Sequence, residues 1–104
     1  MKQFDIYFVD LDPTIGFEIK KSRPAIIVSP DAMNKILKTV IVAPLTSSQK
    51  GYPSRVDTIS NGKQGEVVLD QVRAVDKIRL SKKIGKADAI TAKNIKLVLQ
   101  TMFS

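Results

Sequence analysis

"EIKKSRPAIIVSP", residues 18–30, passes abruptly from a charged loop into a continuous apolar run. The run "PAIIVS" reads as a strand that the core surrounds, because nothing polar interrupts Ala25 to Val28. Pro24 lacks an amide donor and suits the start of such a strand. "TVIVAP", residues 39–44, repeats the pattern and is expected to end at Pro44.

Working outward, Phe4, Ile6 and Phe8 alternate with Asp5 and Tyr7, the mark of a strand with one buried face. "LDPTIGFEIKKSR" is a loop punctuated by Pro13 and Gly16. "PDAMNKIL" allows a short helix, with Ser29 as cap and Pro30 at its first position. After the polar connection "LTSSQKGYPS", "RVDTIS" is a short strand and "NGK" a hairpin turn. "GEVVLDQVRAV", residues 65–75, reads as one strand, and "DKIRLSKKIGKA" as an edge strand or turn beyond it. Ile95, Val98, Leu99, Met102 and Phe103 fall at helical spacing, so an amphipathic helix is expected from Thr91, its cap. The strands are spaced for antiparallel hairpins and not for crossovers. The expected fold is mainly β (α+β): a small SH3-like open barrel of antiparallel strands with a short early helix and a C-terminal helix.

At 104 residues, 43% of them hydrophobic, the chain suits one domain spanning 1–104. It has no Cys, which excludes disulfides and thiolate chemistry, and no His, which excludes imidazole catalysis and the usual zinc sets. Acidic residues inside "MKQFDIYFVDLD" do not suit a signal peptide, and no apolar run is long enough for a membrane span. A cytoplasmic protein without a membrane partner is expected. The net charge of +7 favours a polyanionic partner.

Three clusters can carry chemistry. Pro24 restricts Arg23 to extended backbone, so a guanidinium, a good phosphate ligand, stands at a stiff strand start with Glu18 in the loop before it. Thr46, Ser47 and Ser48 place three hydroxyls beside the end of a buried strand, where they can donate to a phosphate or cap the turn. Asp70, Gln71 and Arg73 form a dense polar set along "LDQVRAV". Read alone, each cluster also fits ordinary turn and surface chemistry. Asp10 and Asp12 make a tight carboxylate pair, too little for a metal site. Tyr52 is expected to be exposed on its loop, where it could stack on a base.

Taken together, "DLDPTIGFEIKKSRPAIIVSP", "VAPLTSSQKGYPSRV" and "GEVVLDQVRAVDKIRL" resemble the MazF/PemK/Kid family of toxin endoribonucleases along essentially the whole chain. The resemblance implies a homodimer with a β-barrel core. It implies cutting of single-stranded RNA, usually mRNA, at short sequences, with no metal and no cofactor. It also implies an acidic antitoxin that covers the RNA groove. The family's central Arg and Thr match Arg23 and Thr46, and its loop acid matches Glu18. The Asp used by the Kid-like branch matches Asp70. That branch carries a His where this chain has Phe17 and an Arg where it has Val68, so the Glu–Arg–Thr set fits better. Lys20, Lys21, Ser47, Gln49, Tyr52, Asp70, Gln71 and Arg73 are then the RNA-binding candidates. Two rivals share these features: a CcdB-like toxin that binds gyrase without chemistry, and an RNA-binding module that leaves RNA uncut.

Overall fold

The computed structural model describes residues 1–11, 16–17 and 22–104. Its elements are β1 (Asp5–Asp10), β2 (Ser22–Ile27), α1 (Asp31–Ile36), β3 (Thr39–Thr46), β4 (Arg55–Ser60), β5 (Lys63–Val68), β6 (Arg73–Asp76), β7 (Leu80–Lys86) and α2 (Ala89–Met102). All pairings are antiparallel, in the order β4-β5-β3-β2-β1-β7, with β6 also on β3. This is the curled, mostly antiparallel half-barrel with two helices that the hydrophobic pattern predicts.

The apolar runs of β2 and β3 have a physical reason. Two core clusters lie against these strands, and alternate residues serve each. Ile26, Val28, Ala43 and Leu45 join the first cluster, which Ile95, Val98, Leu99 and Met102 of α2 close. Ala25, Ile27, Val40 and Val42 join the second, with Val9, Leu11, Val75 and Leu80. Each fully buried Val, Leu or Ile contributes roughly 1.5–3 kcal/mol, so a polar residue at any of these positions would be strongly selected against by the fold.

Several boundaries differ from expectation. β3 does not stop at Pro44 but runs on to Thr46; Pro44 sits opposite Ala25 of β2, almost wholly buried. In β1, Phe8 is 39% exposed and Val9 and Asp5 are buried instead, because register shifts against β7 after Ile6 and Phe8 change the phase. Asp5 is satisfied by the Lys2 amide at 3.0 Å and by Lys83 at 3.3 Å. The single strand expected over 65–75 is broken: Leu69–Gln71 forms a 3₁₀ turn, and β6 resumes at Arg73 farther back along β3, which β5 also pairs. α2 starts before Thr91, with Asp88 as its cap accepting from the Thr91 amide at 2.7 Å. The Asp88 carboxyl is held below its ordinary value, chiefly by that amide. α1 has Pro30 at its cap, without a side-chain cap bond; Ser29 instead donates to Asn34 Oδ1 at 2.6 Å and accepts the Ile41 amide at 3.0 Å.

The "NGK" turn forms as read. Asn61 and Gly62 are left-handed, at φ 52° and 76°, between the facing residues Ser60 and Lys63. Two positive φ values match the twist of a two-residue hairpin. That turn fixes the register of β4 on β5, setting Asp57 opposite Glu66 and Arg55 opposite Val68.

Candidate active site

Arg23 and Thr46 line the same cleft, of about 350 Å³. β2 brings Arg23 and Pro24 to it, and the end of β3 brings Leu45, Thr46 and then Ser47. β2 pairs directly with β3, so the two candidates come from adjacent central strands. The β4–β5 hairpin supplies the opposite rim with Thr58, Ser60, Asn61, Lys63, Gln64 and Gly65. Among the described residues, then, the lining holds two cations, several hydroxyls and no carboxylate. Such a lining suits an anion that accepts hydrogen bonds, a phosphodiester above all.

Two local features hold Thr46. Its Oγ1 accepts the Ser48 amide at 3.2 Å, which fixes the side chain and keeps its O–H as a donor. Behind it lies Gly65, buried in β5. A Cβ there would sit 2.4 Å from the Thr46 carbonyl oxygen, so only glycine permits this approach of β5 to β3.

The loop after Thr46 is held by a residue that sequence reasoning passed over. Glu66 is 2% exposed, faces Thr46 in the β3–β5 register, and accepts three donors. These are the Lys50 amide at 3.0 Å, the Gly51 amide at 2.9 Å and Arg55 Nη1 at 3.1 Å. The Lys50 amide is the main cause that holds its carboxyl below the ordinary range; Gly51 and Arg55 add to it and burial opposes it. Arg55 in turn lies over the Tyr52 ring, 5.0 Å from its centroid.

Ser47 lines the cleft. Gln49 lines an adjoining hollow that shares Thr58 and Gln64 with it. Tyr52 is 53% exposed, as its loop position predicts. Asp70, Gln71 and Arg73 do not line the cleft. Asp70 accepts from Ser54 Oγ at 3.0 Å, and Arg73 donates to the Leu11 carbonyl at 2.9 Å. Glu18, Lys20, Lys21 and Asp12 lie outside the described residues. Among the described residues no cluster of carboxylates is placed to hold a metal ion.

The curled antiparallel half-barrel with two helices is the fold of a class of small toxins. The family model described as PemK-like, MazF-like toxin of type II toxin–antitoxin system matches residues 2–103, and the chain belongs to that family. It is 34% identical over 94 residues to endoribonuclease EndoA of Bacillus subtilis, covering 85% of this chain and 81% of that one. It is 35% identical over 71 residues to the endoribonuclease toxin MazF of Escherichia coli K12, covering 68% of this chain and 64% of that one. The crystal structure of MazF from Deinococcus radiodurans superposes with a TM-score of 0.86 at 27% identity, over 99% of this chain and 96% of that one. A mycobacterial endoribonuclease solved with its cognate antitoxin shares the fold, with a TM-score of 0.83 at 23% identity, over 99% of this chain and 94% of that one.

Proposed function

We propose that this protein is the toxin of a type II toxin–antitoxin pair, acting as one domain, and that it cuts single-stranded RNA, mRNA in particular, at short sequences. The observation that carries this reading is the meeting of Arg23 and Thr46 in one cationic, hydroxyl-lined cleft, in a chain of the toxin family. The names of its relatives, endoribonucleases EndoA and MazF, support the same activity.

The reaction begins with attack of the RNA 2′-OH on the adjacent phosphorus. It needs a base for that proton, an acid for the departing 5′-oxygen, and positive charge at the phosphorane. Arg23 supplies the charge with a planar fork of donors and relays to the departing 5′-oxygen the proton that makes it a 5′-OH. Thr46 hydrogen-bonds the scissile phosphate. Glu18 is the proposed base. The products are a 2′,3′-cyclic phosphate, or the 3′-phosphate from its hydrolysis, and a 5′-OH. No step calls for a metal ion, and DNA is not cut because it lacks the nucleophile. A homodimer, an acidic antitoxin that masks the RNA groove, and a cytoplasmic site of action complete the proposal. No helix among the described residues is long and apolar enough to cross a membrane.

The test is cleavage of a long single-stranded RNA in EDTA, with the ends mapped. Discrete cuts leaving 5′-OH ends, reduced at least about 10²-fold in Arg23→Ala and Thr46→Ala, are expected. A folded, antitoxin-free protein that cuts nothing sinks the catalytic reading.

A further inference from the structure

The loop between Thr46 and Arg55 carries three of the RNA-binding candidates, Ser47, Gln49 and Tyr52, yet it has little apolar anchorage of its own: residues 47–53 are exposed. A segment of this kind would ordinarily sample many conformations, and ordering it on binding would weaken affinity. Here a buried carboxylate orders it beforehand. Glu66 accepts both the Lys50 and Gly51 amides, and Gly51 takes a left-handed φ of 65° that turns the chain so the two N–H groups converge. Its remaining capacity goes to Arg55, whose guanidinium covers the Tyr52 ring. The same β3–β5 register that sets Thr46 at the cleft sets Glu66 beneath the loop. One residue thus fixes the loop in the frame of the proposed catalytic threonine.

We propose that Glu66 is a positioning residue for substrate recognition. It holds the 47–54 loop ready and, through Arg55, presents the Tyr52 ring as a stacking face for a nucleobase outside the Arg23–Thr46 cleft, in the neighbouring hollow that Tyr52 lines with Gly51 and Asp57. Stacking on an aromatic ring is worth enough to matter and is lost when the ring is free to swing. The inference rests on the RNA-cutting reading, but Glu66 itself touches no reacting atom.

Glu66→Gln is the discriminating variant. It keeps the volume but turns one acceptor oxygen into a donor, which faces donors. Arg55→Met is the second, leaving the Glu66–amide bonds and removing the cation behind Tyr52. Amide hydrogen exchange, steady-state cleavage and cut-site mapping are measured on wild type and both variants. In Glu66→Gln the Lys50 and Gly51 amides should exchange at least about tenfold faster, KM should rise about tenfold with kcat changed less than threefold, and the cut-site map should broaden. Arg55→Met should raise KM without exposing those amides. Wild-type KM and an unbroadened map in both variants would overturn the proposal, as would a kcat loss with KM intact. A wild type that cuts no RNA removes the recognition role along with the ribonuclease reading, whereas active wild type with indifferent variants removes only the former.

Discussion

Gly65→Ala should separate the stability of the fold from the placement of Thr46. The added Cβ would lie 2.4 Å from the Thr46 carbonyl oxygen; the backbone fixes the Cβ and the oxygen is a backbone atom, so no rotamer change relieves them. A carbon–oxygen contact is comfortable at about 3.3 Å, so β5 and β3 must part by about 0.9 Å at this point. The pairing there is short, with Leu45 facing Val67 and Thr46 facing Glu66, and cannot spread the strain far. Overpacking of this size costs roughly 1–3 kcal/mol, which for a domain of this length lowers Tm by about 5–20 °C. A displacement of about 1 Å at a reacting group costs on the order of 10²-fold in rate. The control is Gly85→Ala in β7, where a Cβ meets nothing within 4 Å and φ is not left-handed. Thermal melts and RNA cleavage at a temperature where both variants are folded give the comparison. If Gly65→Ala matches Gly85→Ala in both Tm and kcat/KM, the close approach of β5 does not place Thr46 and the reasoning fails.

Other expectations can be checked with the same assays. Ile95→Ala removes a fully buried contact between α2 and the first cluster and should cost about 2–5 kcal/mol, a large part of the stability of any small domain, seen as a lowered denaturant midpoint. Gly62→Ala forces a side chain into the left-handed turn at φ 76° and should cost about 1–2 kcal/mol with little effect on the opposite rim at Arg23. The carboxyls of Glu66 and Asp88 both lie below their ordinary values in the folded protein, so their stabilisation is complete above those values and is lost as pH falls through them; Tm should drop on acidification from pH 6 towards 3, and less steeply in Glu66→Gln.

Much of this was legible in the residues, for identifiable reasons. The runs Ala25–Val28 and Val40–Leu45 are apolar without interruption because core lies on both sides, and the asparagine–glycine pair allows few alternatives to a tight hairpin. The errors fall where tertiary pairing overrides local pattern. Phe8 is exposed because of shifts against β7, some seventy residues away in the chain, which β1 alone cannot reveal. The break after Val68 comes from β3 receiving β5 and β6 at different points along its length, again a matter of partners. In the candidate site, Arg23 and Thr46 were marked by the stretches that carry the family resemblance, and geometry then brought them together. Glu66 was not singled out within the strand that carries it. A signal existed: the hairpin at Asn61–Gly62 sets Asp57 opposite Glu66, which leaves Arg55 on the diagonal, within reach of a long side chain.

That hairpin has a consequence for how such an enzyme can change its diet. Ser60, Asn61, Lys63 and Gln64 form one wall of the cleft at the tip of a solvent-exposed turn, while Arg23 and Thr46 stand on strands locked between two cores. On the proposed reading, recolouring the positions that flank the turn alters the wall an RNA strand would pass while the strands that carry Arg23 and Thr46 stay as they are, since exposed loop tips absorb change at small thermodynamic cost. In the proposed site the two walls thus belong to different strands, and a library confined to Ser60, Lys63 and Gln64, which spares the left-handed Asn61–Gly62 turn, can search for new cutting preferences with little cost to the fold.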